Sequence, residues 1–248
     1  MDLLPELLSW PIAIALVIVS FFMSALTAVV GVGGGTGMLA VMAAVFPPAV
    51  LIPLHGIVQL ASNGGRAMVM RRHVHRRILG YFLLGGLVGT VLAANVFIAL
   101  PTGVLQVFLA VFIVVLVWAP QVKPLAISER GFLGAGVAVN FLGMFVGAVG
   151  PLFGACLSAG RFDRHTVVAT QGACVCMHYL LKAVAFGVIG FAYLEWLPFI
   201  IAMTASGFAG TLVGGRGLDK LPEKLFAKAF RTVLTLFALK LLWSGLMG

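Results

Sequence analysis

The chain has 248 residues, of which 62% are hydrophobic and 9% are charged, whereas soluble proteins average about 45–50% and about 25%. This composition excludes an ordinary water-soluble protein, because a chain of this size cannot bury so much apolar surface in one core. We attribute the net charge of +9 to basic residues in loops, where they follow the positive-inside rule and contact anionic membrane lipid. We therefore expect no nucleic-acid partner.

Windows without charged residues divide the chain into eight predicted transmembrane helices. No Asp, Glu, Lys or Arg occurs between Glu6 and Arg66 or between Arg77 and Lys123, and each window holds at least two crossings of about 20 residues. No run alternates as a barrel strand does, so we expect an all-α polytopic membrane protein. Breaks at Gly, Pro and charge clusters place the spans at residues 11–32, 49–70, 78–99, 102–119, 131–158, 166–188, 194–215 and 226–246.

The densest positive cluster is the loop at residues 71–77. The positive-inside rule places this loop in the cytoplasm, and eight crossings then place both termini there as well. A second basic set would lie outside on this layout and opposes the assignment; it consists of Arg161, Arg164, Arg216, Lys220 and Lys224.

An internal repeat relates the two halves of the chain at a constant offset of 116 residues. The offset aligns Gly34 with Gly150 and Arg66 with Lys182. We expect one transmembrane domain over residues 1–248, with repeat halves at 11–119 and 131–246. Segment 34–46 is either a re-entrant half-helix or a full crossing, and this choice decides whether the halves are parallel or inverted.

Each half opens with a helix that a glycine run interrupts. Paired interruptions are typical of transporter sites, because backbone groups freed from the helix face a cavity and a restarting helix points its positive dipole end at an anion. The alternative is close helix packing through small residues. The backbone groups expected to bind a ligand belong to Gly33, Gly34, Gly35 and Thr36 in the first half and to Gly150, Pro151 and Leu152 in the second.

A polar stripe follows each break at helical spacing. The first stripe consists of His55, Gln59, Asn63 and Arg66, and the second of Gln171, Cys174, His178 and Lys182. Two intramembrane cations without nearby carboxylates indicate an anionic ligand as their partner, although Arg66 also lies close enough to its loop to reach the interface. His55 and His178 are candidates for proton coupling, with a hydrogen-bonded packing role as the alternative.

The three cysteines, Cys156, Cys174 and Cys176, form no regular disulfide framework. Residues 174 and 176 point to different faces of a helix and cannot readily share a metal ion. No hydrolase, metalloprotease or phosphate-binding motif occurs, so we expect neither an enzyme nor a cofactor.

The run from Thr27 to Gly35, followed by Phe46-Pro47 and a polar second helix, resembles the TauE/SafE sulfite exporter family of four-span sulfate/sulfite uptake-type permeases. A weaker second copy runs from Asn140 to Pro151, and the resemblance covers nearly the whole chain. It implies a bacterial inner-membrane secondary transporter that moves sulfite, sulfoacetate or related sulfonates, usually outward. The second copy departs from the first where Pro151 and Leu152 replace Gly35 and Thr36.

We therefore expect an exporter of small sulfur-containing anions that works by alternating access, with its site near the membrane midplane and membrane lipid as its surroundings. Two alternatives stay open. A passive anion channel would use the same basic, glycine-lined path, and a sulfur relay would use the membrane cysteines.

Overall fold

A computed structural model describes residues 5, 7–30, 34–69, 71–118, 127–146, 149–150, 153, 156–157, 162–217 and 223–247. These residues contain nine α-helices and two short 3-10 turns, and no strand occurs among them. The prediction of an all-α membrane protein is confirmed.

The helices follow one another with short connections. In the first half they are α1 (Trp10–Val30), α2 (Gly34–Ala43), α3 (Pro48–Val69), α4 (Arg76–Ala99) and α5 (Thr102–Trp118). In the second half they are α6 (Gly131–Phe145), α7 (Arg164–Ile189), α8 (Leu197–Gly217) and α9 (Glu223–Met247). The 3-10 turns are Arg71–His73 and Tyr193–Trp196.

Four stretches of the described chain are long and apolar enough to cross a membrane. They are Trp10–Thr27, Arg76–Ala99, His165–Ile189 and Tyr193–Gly214. The other apolar helices are shorter; α2, with 10 residues, extends only about 15 Å at 1.5 Å per residue, about half the thickness of the hydrocarbon core. The count of eight crossings stays a prediction.

The helix breaks occur where the glycine runs predict them. α1 ends at Val30 and α2 begins at Gly34. Within the predicted span 131–158, α6 ends at Phe145 and Val146 has extended backbone, with φ −128° and ψ 148°, beside the glycine run that predicted an interruption. Helical backbone is present again at Gly150. An apolar run alone does not reveal this stop, since both pieces suit lipid equally well.

The chain divides into two compact units, and each unit combines pieces of both sequence halves. Unit 1 contains residues 1–58, 101–118 and 192–248, and unit 2 contains residues 59–100 and 119–191. In unit 1, α1 packs along α8, and α5 packs along α9. In unit 2, α4 packs along α6 and α7. At the repeat offset α1 corresponds to α6 and α4 to α8, so the closest pairs of the two units are made of corresponding helices.

Small residues bring α1 and α8 together in unit 1. Ser20 Oγ donates to the carbonyl of Met203 at 2.9 Å, and Ser206 Oγ donates to the carbonyl of Val17 at 2.7 Å. A Cβ on Gly210 would collide with the backbone of Phe21. Close approach of backbones and hydroxyl bonds across the interface are the usual means of holding helices together in lipid.

In unit 2, glycines bring α4 and α6 into backbone contact. A Cβ on Gly85 or Gly89 would collide with α6, and one on Gly136 would collide with α4. The ring of Phe153 lies 4.6 Å from that of Phe82 and 5.7 Å from that of Phe132. The close packing of α4 against α6 fixes the position of α6, whose carboxyl end borders the second break.

The first residue of α7 is set by a capping aspartate outside the membrane-spanning segment. Asp163 accepts hydrogen bonds from the amides of His165 and Thr166 at 2.9 and 3.1 Å. Bonds from the hydroxyl and amide of Thr166, together with that from His165, lower the pKa of the Asp163 carboxyl. The other end of α7 is closed by Gly190, whose φ of 104° suits glycine. α7 carries the second polar stripe, so these two ends set its register.

Candidate functional site

The first break brings His55 to the start of α2. His55 is buried on α3, and its Nε2 lies 2.9 Å from the carbonyl oxygen of Gly35. A carbonyl oxygen only accepts, so Nε2 donates this bond. A Cβ on Gly34 would collide with the carbonyl of Met23 and the hydroxyl of Thr27. Glycine is therefore required for α2 to begin directly against α1.

The second break repeats this arrangement in unit 2. Gln171, which aligns with His55 at the repeat offset, donates from Nε2 to the carbonyl oxygen of Gly150 at 2.9 Å. Gly150 in turn aligns with Gly34, one residue before the carbonyl that His55 binds. In both halves a polar side chain from the following long helix is thus bonded to the backbone where helical structure resumes.

Lys182 binds the carboxyl end of α6. Its side chain is fully buried, and Nζ donates to the carbonyl oxygens of Gly143 at 2.7 Å and Val146 at 3.2 Å. The last carbonyls of a helix have no partner within the helix and carry the negative end of its dipole. The ammonium is therefore stabilised by backbone rather than by a carboxylate, and no carboxylate among the described residues lies within ion-pair distance of it.

His178 lies one turn before Lys182 on α7 and is also buried. Its Nδ1 lies 3.0 Å from Oδ1 of Asn140, whose own Nδ2 donates to the carbonyl of Gly136 at 2.9 Å. Because Oδ1 only accepts, Nδ1 of His178 carries the proton in this bond. A Cβ on Gly143 would collide with the imidazole ring, so the ring packs directly against the end of α6.

The remaining members of the first stripe bond locally. Asn63 Nδ2 donates to the carbonyl of Gln59 at 2.8 Å on the same helix, and Gln59 forms a side-chain hydrogen bond with the hydroxyl of Tyr179. The side chain of Arg66 lies outside the described residues, as do Gly33, Pro151 and Leu152. The structure thus places His55, Gly34, Gly35 and Thr36 at the first break, and Gly150, Gln171, His178 and Lys182 around the second.

Sequence reasoning missed Asn140 and Tyr179. Asn140 lies in a helix with no charged residue, and a buried amide in such a helix is a signal that it has a specific partner. Its partner is 38 residues away, so no local pattern identifies it.

The basic loop at residues 71–77 is anchored to two neighbouring segments of unit 2. The amide of His75 donates to Thr170 Oγ1 at 2.9 Å, and its Nε2 lies 3.4 Å from Oε1 of Glu129. Arg77 lies 4.0 Å from the same carboxylate. Most of the arginines in the loop remain exposed, as expected for a surface that contacts lipid headgroups or water.

The free cysteines and the metal-ligating residues form no cluster in the described part of the chain. Cys174 is buried, whereas Cys156 and Cys176 are half-buried. No group of three His, Cys, Asp or Glu side chains among the described residues is placed to hold a metal ion.

The family model for the sulfite exporter TauE/SafE matches residues 16–241, which is nearly the whole chain. The chain belongs to the TauE/SafE family. Members of this family are membrane transporters and not enzymes, so the chain is an integral membrane transporter and the predicted family is confirmed. Sulfite exporters carry a small anion, which is the class of substrate that the uncompensated basic residues indicated. No curated protein and no solved structure matches the chain.

Proposed function

We propose that this TauE/SafE protein exports sulfite or a small organosulfonate, such as sulfoacetate, across the bacterial inner membrane by alternating access. Family membership supports a sulfite-type anion. Lys182 is the observation in the structure that carries the proposal, because it is a fully buried cation with no carboxylate partner among the described residues. An amino group held only by neutral carbonyls has no counter-ion in the described part of the chain, so an anion is the partner that would stabilise its charged form.

The longer of the two bonds from Lys182 suggests how the anion binds. The contact with Gly143 is short at 2.7 Å, and that with Val146 is longer at 3.2 Å. A substrate oxygen would replace the longer bond and leave the shorter one to position the ammonium. An oxyanion carries a full negative charge and the carbonyl only a partial one, so the ammonium is attracted more strongly to the anion, which favours this exchange.

Backbone amides at each of the two breaks are further proposed ligands of anion oxygens. The first amides of a helix point outward without partners and attract negative charge, and α2 offers those of Gly34, Gly35 and Thr36. We assign the same role to Gly33 in the first half and to Gly150 and Leu152 in the second. Pro151 has no amide hydrogen and would shape the backbone there. His55, Gln59, Asn63, Arg66, Gln171 and His178 complete the proposed set of substrate-binding groups.

A duplicated chain supports alternating access. The corresponding helix pairs, α1 with α8 and α6 with α4, are what two similar halves exchanging elements would produce. On the proposed orientation the loop at residues 71–77 faces the cytoplasm. His55 and His178 are the groups through which proton coupling would act.

Thermal stabilisation of the purified protein tests the anion site. A ligand that binds only the folded state stabilises it by about 2.7 kcal/mol at 100 times its dissociation constant. We expect sulfite or one sulfonate to raise the melting temperature more than sulfate, thiosulfate, taurine, acetate or chloride. Stabilisation by an amine or a metal ion instead would contradict the proposal.

Two lysine variants show whether Lys182 is responsible. Lys182→Met keeps the length of the side chain and removes the charge, and it should abolish the selective shift. Lys240→Met is the matched control, because Lys240 also donates to a backbone carbonyl, that of Ala44 at 3.2 Å, but is exposed. If sulfite raises the melting temperatures of Lys182→Met and Lys240→Met equally, Lys182 has no role in binding, even though the wild-type protein responds to sulfite.

A further inference from the structure

The second ring nitrogen of His178 is a buried acceptor that lacks a partner. Nδ1 carries its proton toward Asn140 Oδ1, so Nε2 of the neutral ring has a lone pair and no hydrogen. Nε2 is buried and has no hydrogen-bond partner in the described part of the chain. An unsatisfied buried acceptor is costly, so Nε2 calls for a hydrogen-bond donor that the described residues do not supply.

This acceptor lies at the same break as the ammonium of Lys182. A Cβ on Gly143 would be 2.7 Å from Nε2 of His178, and the carbonyl of Gly143 is the one that Lys182 binds at 2.7 Å. His178 and Lys182 are one turn apart on α7, so they share one face of the helix. A single residue of α6 therefore brings together a positively charged donor and an empty acceptor.

An anion that satisfies both groups must carry a donor hydrogen as well as its charge. Its negative charge must face Lys182, and it must also present a hydrogen to Nε2. Hydrogensulfite in its hydroxyl form carries one negative charge and one O–H group, whereas sulfite and sulfate dianions and simple sulfonates carry no O–H group at neutral pH. A site built to bind a substrate hydroxyl strongly disfavours analogues without one, because its buried polar group then stays unpaired.

We propose that His178 Nε2 selects the hydrogen-bearing monoanion, hydrogensulfite, as the transported species, an inference that rests on the proposed export of sulfite. The hydrogen stays on the substrate oxygen throughout, and His178 accepts a hydrogen bond without being protonated. One proton therefore leaves the cell with each anion. His178 acts in this account as a specificity-determining residue.

The ionisable groups near His178 include no carboxylic acid that could donate a hydrogen to Nε2, so in this account the substrate supplies that hydrogen. On α7 the ionisable neighbours are Lys182 and Cys174, one turn to either side, and Tyr179, whose ring centroid lies 5.1 Å from that of His178 and whose hydroxyl bonds to Gln59. α6 has no ionisable side chain, and those of α4 are confined to its first two turns, at Arg76, Arg77 and Tyr81. No Asp or Glu lies on α4, α6 or α7, so no carboxylic acid of these helices faces Nε2.

The test measures the initial rate of labelled sulfite transport in proteoliposomes of the full chain, from slightly acidic to slightly alkaline pH, with methanesulfonate as a comparison anion that has no ionisable hydrogen. We expect the rate at constant total sulfite to fall as pH rises, in step with the hydrogensulfite fraction. Methanesulfonate transport should be slower by roughly tenfold or more, the factor that one hydrogen bond represents. A sulfite rate that rises with the dianion fraction would overturn the inference.

Variants separate selection from structure. His178→Phe fills the ring volume without an acceptor and should lower the ratio of sulfite to methanesulfonate transport by roughly tenfold, the worth of one hydrogen bond, and should flatten the pH profile. Ser62→Ala, at the matching and exposed position of the first half, should leave both unchanged. An unchanged ratio in His178→Phe would refute the role of His178.

The wild-type pH profile decides the matter if His178→Phe does not fold. Transport of neither sulfite nor any sulfonate by the wild type would reject the proposed function itself. Sulfite transport without preference for the hydrogen-bearing form would reject only this inference.

Discussion

Gly136 should not tolerate a methyl group, although Gly134 on the same helix should. A Cβ on Gly136 would lie 3.1 Å from both the amide nitrogen of Gly86 and the carbonyl carbon of Phe82, and closer still to the oxygen of Phe82. Gly134 has no described atom within 4 Å of the corresponding position. The pair therefore differs in packing while sharing helix and substitution.

The magnitude follows from the atoms that a new methyl group would meet. Non-bonded carbon atoms are most stable at about 3.5–4.0 Å, and the colliding atoms in α4 belong to the backbone, so the two helices must separate. Overpacking of this kind costs about 1–3 kcal/mol. In Gly134→Ala the chief change is the gain of helix propensity, about 0.5–1 kcal/mol. Both substitutions gain this propensity, so it cancels in the comparison, and we expect the variants to differ by about 1–3 kcal/mol in the free energy of unfolding.

Unfolding of the purified proteins in one detergent, by titration with a denaturing detergent, measures this difference. Gly136→Ala should unfold before the wild type, and Gly134→Ala at or after it. Equal stability of the two variants would refute the close approach of α4 and α6, and with it the position of the carboxyl end of α6 beside the second break.

Three further predictions concern caps, interfaces and thiols. Asp163→Ala should lower the melting temperature at neutral pH. Because the pKa of Asp163 in the folded protein lies below its ordinary value of 3.8, the stabilisation by its carboxylate is complete above pH 3.8 and is lost as pH falls through the lowered pKa. A difference in melting temperature between wild type and variant that does not change with pH would contradict the cap. Ser20→Ala and Ser206→Ala should each cost about 0.6 kcal/mol of unfolding free energy, and no loss from the double variant would show that the hydroxyls do not bridge α1 and α8. Replacing Cys156, Cys174 and Cys176 together by Ser should leave sulfite transport intact, whereas its loss would favour the sulfur relay.

The fold could be predicted largely from the absence of charge. In lipid, a single crossing segment can satisfy the hydrogen bonds of its backbone N–H and C=O groups only as a helix. The long apolar windows therefore identify helices without any packing information. The ends were harder to predict: α6 stops at Phe145 while the apolar sequence continues to residue 158. The glycine run after Val146 predicts an interruption of this helix, but not that extended backbone begins at Val146 itself.

The partners within the site could not be predicted from side-chain types. The sequence indicated that Lys182 needs an acceptor, and the only candidates visible in a sequence are carboxylates or a ligand. The structure supplies the backbone carbonyls of Gly143 and Val146, which every residue possesses. The bond between His178 and Asn140 was likewise hidden, since it depends on how two separate helices pack.

Counterflow of labelled sulfite in proteoliposomes tests the central claim most directly. An alternating-access exporter returns its site faster when it carries substrate, so unlabelled sulfite on the opposite side should accelerate the exchange of labelled sulfite. We predict saturable trans-stimulation by sulfite and none by acetate or an amine. Non-saturable flux without trans-stimulation would indicate a passive anion channel and contradict the account.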